Sequence, residues 1–115
     1  MTRRRLVTAT LAFGLLLGTT GSALSQPGAA AGVAIRVFQF QPGAVEVPAG
    51  TRVTWTNHDD ITHTVTSGAP GSPDGRFDVR LDGKGVTGSA VLSARRVYSY
   101  FCARHPSMRG EVVVR

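Results

Sequence analysis

Hydrophobic and polar residues alternate along most of the chain beyond residue 32. Val33, Ile35 and Val37 fall on one side of an extended segment that runs to Phe40. Val45 and Val47 flank Glu46, and Val53 and Trp55 alternate with Arg52, Thr54 and Thr56. A period of two sends successive side chains to opposite faces, so these segments predict half-buried strands. Thr62–Ser67 is a further β-branched run, Val86–Ala94 and Arg96–Cys102 read as two strands, and Glu111–Arg115 closes the chain. Phe77–Leu81 reads as a short edge segment. Turns are expected at Pro42-Gly43 and Pro48-Ala49-Gly50, and a turn-rich loop over Ala69–Arg76. No segment holds a helical period. Seven or eight short strands at this spacing predict an all-β sandwich or barrel.

The first 32 residues follow a different pattern. Arg3, Arg4 and Arg5 precede a charge-free, mostly apolar run from Leu6 to Leu17, and small residues follow, ending in Ala23-Leu24-Ser25. This is the layout of a secretory signal peptide cleaved after Ser25, with a second small-residue site at Ala29-Ala30-Ala31. The alternative is a retained membrane anchor, because the charge-free run through Gln26 is long enough to span. No cysteine lies near the cleavage region, which excludes a lipoprotein. Thr2-Arg3-Arg4-Arg5-Leu6-Val7 also resembles a twin-arginine export signal. The expected organisation is a leader over 1–25, a flexible stretch over 26–32 and one domain over 33–115. The expected location is periplasmic or otherwise extracytoplasmic.

Charge adds little. The net charge is +6, but the three leader arginines supply half of it; without them ten basic residues face seven acidic ones. The basic residues are scattered and not interleaved with exposed aromatics, so nucleic acid is not an expected partner. The single cysteine is more informative. Cys102 cannot form an intrachain disulfide, and a lone thiol in an oxidising compartment needs a metal, a partner thiol or a reactive role.

Cys102-Ala103-Arg104-His105-Pro106-Ser107-Met108 places a thiolate, an imidazole and a thioether in one turn-forming loop after a strand. Taken singly, each of these residues usually only packs or faces water. Together they suit copper, which alternates between Cu(I) and Cu(II); hard oxygen ligands disfavour Cu(I), and a thiolate-rich tetrahedral set favours zinc. One Cys and two His with a weak axial Met form the blue-copper pattern. The second imidazole must come from elsewhere. His63 stands in the alternating run Thr62-His63-Thr64-Val65-Thr66, which fixes its direction; His58, in the polar turn Asn57-His58-Asp59-Asp60, is the other option and is expected to face water. A Cys–His nucleophile is the remaining catalytic reading, but no orienting third residue or oxyanion loop is visible.

These segments resemble the cupredoxins, most closely the amicyanin and plastocyanin-like group. The matching blocks are Phe38-Gln39-Phe40-Gln41-Pro42, Val47-Pro48-Ala49-Gly50, Val53-Thr54-Trp55-Thr56-Asn57 and His63-Thr64-Val65. They continue with Phe77-Asp78, Tyr98-Ser99-Tyr100-Phe101-Cys102, His105-Pro106 and Met108 through Val114. The resemblance covers nearly all of Val33–Arg115. It implies an eight-stranded Greek-key β-sandwich with one type 1 copper near one end. His63, Cys102 and His105 are then equatorial ligands and Met108 the axial one. Three positions depart from the pattern. Thr62 stands where Pro is common, and Thr64 where Asn or Ser ties the ligand segments together. Ala94-Arg95-Arg96 replaces a Gly-containing turn before Tyr98.

The function expected is outer-sphere transfer of single electrons between a redox protein donor and acceptor, with transient docking near His105. Four protein ligands leave no open position, so neither an enzyme nor a small-molecule substrate is expected. Arg104 and Arg109 flank the loop and are placed to steer an acidic partner. A monomer is expected, and membrane association only if the leader is retained. A copper-delivery protein is the alternative, though such proteins usually carry extra Met or His clusters, and Met1 is the only other Met. A sandwich that binds no metal would leave Cys102 a free thiol. A multicopper oxidase needs more histidines than the three present.

Overall fold

The computed structural model describes Ala12, Gly14 and residues 28–115. The expected leader and its twin-arginine motif otherwise lie outside the described residues. Nine strands follow in order: β1 (Ala30–Arg36), β2 (Gln39–Gln41), β3 (Ala44–Val47), β4 (Thr51–Asn57), β5 (His63–Ala69), β6 (Ser72–Leu81), β7 (Thr87–Leu92), β8 (Val97–Phe101) and β9 (Arg109–Val114). They form a four-stranded sheet, β2-β1-β4-β7, and a five-stranded sheet, β3-β9-β8-β5-β6. β1 runs parallel to β4 and β3 parallel to β9; the remaining pairs are antiparallel. The expected all-β Greek-key sandwich is the architecture found.

Alternation dictates the core. Val33, Ile35, Val53, Trp55 and Leu92 point inward from one sheet; Val65, Phe77, Leu81, Tyr98, Tyr100, Val112 and Val114 do so from the other. Burying each such large side chain contributes about 1.5–3 kcal/mol relative to leaving it exposed. Trp55 occupies the centre, its ring 5.4 Å from those of both Phe77 and Tyr100. Two glycines make room for this cluster. A Cβ at Gly88, opposite Trp55 on β7, would collide with Val79, and one at Gly110, opposite Tyr100, would collide with the Tyr100 ring.

Three expectations need correcting. The segment Val33–Phe40 is not one strand: β1 ends at Arg36, and Val37 and Phe38 form a two-residue turn into β2, leaving Val37 78% exposed. Ala69–Arg76 is not a loop but a hairpin, with Pro70-Gly71 between β5 and β6. Its bulge is organised by the buried Ser67, whose Oγ accepts the amides of Arg76 and Phe77 and donates to Asp74. Pro73 is tolerated because β6 is an edge strand. Finally, ordered pairing starts before residue 33. Ala30 to Ile35 pair with Arg52 to Asn57, and the Arg52 amide donates to the Ala29 carbonyl. Main-chain bonding needs no side-chain pattern, so Ala and Gly join the sheet without a hydrophobic signal.

Candidate metal centre

The site lies at one end of the sandwich, where several chain segments meet. β5 begins at His63, β8 ends one residue before Cys102, and β9 begins one residue after Met108. The loop between β8 and β9 closes on itself through backbone bonds. The His105 amide donates to the Cys102 carbonyl (3.3 Å), the Met108 amide to the His105 carbonyl (2.8 Å), and the Cys102 amide to the Met108 carbonyl (3.1 Å). Such a loop fixes three donor side chains without help from regular structure.

His63 is delivered by a second, equally constrained segment. Asn57 is fully buried at the end of β4, and its side-chain amide donates to the carbonyls of Ile61 (2.7 Å) and Leu81 (3.2 Å). Its side-chain oxygen accepts the Asp59 amide at 2.9 Å, and the His58 amide donates to Ile35. The turn 58–62 is thereby pinned to both sheets.

The Cys102 sulfur stands 3.8 Å from His63 Nδ1 and 3.6 Å from His105 Nδ1, and the three ligand atoms lie within 4.8 Å of one another. Bonds of about 2.3 Å from sulfur and about 2.0 Å from nitrogen to one first-row ion span such separations when the angle is roughly trigonal. The donor set therefore fits a single copper ion. His63 and Cys102 are fully buried, Met108 nearly so, and His105 partly open to solvent. His58 does not join the group, which holds His63 instead.

The surroundings are built for those donors. The Thr64 amide donates to the Cys102 sulfur at 3.3 Å, and the Thr64 hydroxyl accepts the Ala103 amide at 2.7 Å. Thr64 thus supplies the tie between ligand segments that its departure from Asn or Ser had left open. On the other side of His63, Nε2 lies 2.8 Å from Asp59 Oδ2. A carboxylate there fixes the tautomer that leaves Nδ1 free as a ligand. Partial burial works against ionisation of Asp59. The amide of Phe38, the His63 ring and the amide of Val37 outweigh it, holding this carboxyl below the ordinary aspartate value.

Sequence reasoning missed Asp59 and Phe38. Asp59 sits four residues before His63, a spacing that a turn can close, but Asn57-His58-Asp59-Asp60 reads as a solvated turn. Phe38 packs edge-on against the rings of His63 (5.3 Å) and His105 (4.9 Å). Nothing local announces that contact.

Comparison with known proteins agrees with this geometry. The sequence profile of copper-binding proteins of the plastocyanin/azurin family matches residues 28–115. The chain belongs to that family. It is a cupredoxin whose cofactor is copper, and a small blue-copper electron carrier. Among its relatives, amicyanin-alpha of Methylorubrum extorquens is 32% identical over 100 residues, covering 87% of this chain and 84% of that protein. A plastocyanin of Nicotiana tabacum is 34% identical over 86 residues, covering 65% of this chain and 86% of that protein. Among solved structures, a purple cupredoxin from Nitrosopumilus maritimus superposes with a TM-score of 0.68 at 30% identity, covering 74% of this chain and 99% of that one.

Proposed function

We propose that His63, Cys102 and His105 hold the copper as close ligands, that Met108 is the weak fourth, and that electrons pass through the exposed edge of His105. The observation that carries this reading is the convergence of one thiol and two imidazole Nδ1 atoms from segments 39 residues apart in sequence. Copper, when bound, supplies a one-electron couple. The chain does the rest. Thr64 donates to the sulfur, Asp59 orients His63, and the closed loop holds His105 and Met108. A scaffold fixed in this way keeps the donors in one arrangement in both oxidation states. Four protein donors leave no position for a substrate, which supports a carrier and not an enzyme.

The partners are a redox protein donor and acceptor that dock transiently on the surface around His105, with the carrier acting as a monomer. Ala103, Pro106 and Arg104 are all exposed there. Arg104 gives an acidic partner a favourable approach. The leader over 1–25 directs export to an extracytoplasmic compartment and is removed after Ser25. This is the cleavage that leaves β1 whole, since Ala30 and Ala31 pair with Arg52 and Val53. N-terminal sequencing of the exported protein tests the site.

The electron-exit reading is tested by stopped-flow oxidation of the reduced protein with ferricyanide over a range of salt concentrations. Arg104→Glu should slow the reaction with this anion and flatten its salt dependence, with the visible spectrum unchanged. An unaltered rate and salt dependence would remove the steering role.

A further inference from the structure

The turn between β1 and β2 is unusual in its residues. Val37 and Phe38 are its two central positions, in register between Arg36 and Gln39, with φ of 48° and 59°. Two-residue hairpin turns with both φ values positive are normally filled by Asn-Gly or Asp-Gly. A β-branched residue there is an outlier that the surroundings must enforce. Both side chains are also apolar and exposed, Val37 at 78% and Phe38 at 46%. Local propensity and solvation both argue against this turn.

What enforces it comes from the metal centre. The Asp59 carboxylate accepts the Val37 amide on Oδ1 at 2.8 Å and the Phe38 amide on Oδ2 at 3.0 Å. The same Oδ2 stands 2.8 Å from His63 Nε2. One side chain therefore sets both the turn and the ligand imidazole. The result is a phenyl ring held edge-on to both imidazoles, with interplanar angles of 88° and 89°. The two imidazoles are themselves 5.1 Å apart, so one phenyl ring contacts both, and Phe38 remains 46% exposed to solvent.

We infer that Asp59 and the Val37–Phe38 turn form a latch in which Asp59 holds Phe38 as a cap over His63 and His105, barring small ligands and chelators from the metal. The inference rests on the ligand assignment made above. Phe38 acts on access, and Asp59 acts as a positioning residue for the cap as well as for His63.

The test uses the Cu(II)-loaded wild type, Phe38→Ala, Phe38→Leu, Asp59→Ala, Asp59→Asn and the Phe38→Ala/Asp59→Ala double variant. Circular dichroism of each apo-protein checks the fold. Asp59→Asn keeps one oxygen acceptor for the turn and serves if Asp59→Ala does not fold. The visible band is followed during challenge with imidazole and, separately, with EDTA. Phe38→Ala should let imidazole alter a spectrum that it leaves untouched in the wild type. It should also release copper to EDTA about 10-fold faster or more, the scale of disruption around a metal-bound histidine. Phe38→Leu should restore much of the protection. Because Asp59 holds the cap in place, removing Phe38 should add nothing once Asp59 is gone, so the double variant should be no more open than Asp59→Ala. Phe38→Ala matching the wild type in both challenges, or effects that multiply in the double variant, would overturn the latch. Failure of the wild type to develop the band would instead overturn the ligand assignment.

Discussion

The backbone amide of Thr64 donates to the Cys102 sulfur at 3.3 Å, while the hydroxyl of the same residue accepts the Ala103 amide at 2.7 Å. One threonine thus joins the strand that carries His63 to the loop that carries the other three proposed ligands. Hydrogen bonds at the cysteine sulfur are one of the levers on a blue-copper potential. Thr64→Val keeps the amide and removes the hydroxyl. Its expected cost is about 1–3 kcal/mol of apo-protein stability, the worth of two neutral hydrogen bonds, because the same hydroxyl also pairs with the Thr66 hydroxyl at 3.0 Å. With the loop less firmly tied, the amide-to-sulfur bond should lengthen and the reduction potential should fall. Urea unfolding and cyclic voltammetry check the two effects separately.

Two tyrosines on β8 should respond in opposite ways to loss of the hydroxyl. Tyr98 Oη donates to the Ala94 carbonyl at 3.1 Å, a corner that replaces the missing glycine turn. Tyr98→Phe should cost about 0.5–1.5 kcal/mol. Among the described residues, neither the buried Tyr100 Oη nor Trp55 Nε1 on the neighbouring ring has a hydrogen-bond partner. Tyr100→Phe removes a desolvated hydroxyl and should change stability by less than about 0.5 kcal/mol or raise it. A loss at Tyr100 equal to that at Tyr98 would contradict this account of the core.

Gly110 is required for close approach, since a Cβ there meets the Tyr100 ring on the facing strand. Gly110→Ala should cost about 1–3 kcal/mol as overpacking. Tyr100 lies two residues before Cys102, so the displaced ring should also shift the visible band of the copper protein. Thermal unfolding and absorption spectra measure both.

The β5–β6 hairpin carries a pH dependence. Asp74 is held below the ordinary aspartate value chiefly by the Ser67 hydroxyl, with the Arg76 amide assisting. A carboxyl with a depressed folded pKa adds stability above its unfolded value and loses that contribution as pH falls through the folded value. Asp74→Asn should therefore be less stable than wild type at pH 7, and the gap should close on acidification below the ordinary aspartate value. Urea midpoints across that range measure it; a gap that stays constant would assign Asp74 a role independent of its charge.

Much of the fold was legible because alternation is a local signal. Val33 and Ile35 on β1 and Val53 and Trp55 on β4 announced their inward faces. The grouping of Cys102 and His105 with His63 was legible for a chemical reason: a thiol, an imidazole and a thioether in one short loop have few other uses. What stayed hidden depends on contacts between distant segments. The Val37–Phe38 turn continues the hydrophobic alternation and contains no turn-forming residue, so only Asp59, more than twenty positions away, accounts for it. The hairpin at Pro70-Gly71 was masked because Pro73, Asp74 and Gly75 look like loop, whereas Ser67 organises them from the facing strand.

The most direct test of the central claim is titration of the mature domain with Cu(II), following visible absorption and free thiol together, for wild type and Cys102→Ser. The account predicts an intense blue band that saturates at one copper per chain, bleaches on reduction, removes Cys102 from thiol titration and is absent from Cys102→Ser. A colourless product with Cys102 still titratable, or a band that survives in Cys102→Ser, would contradict it.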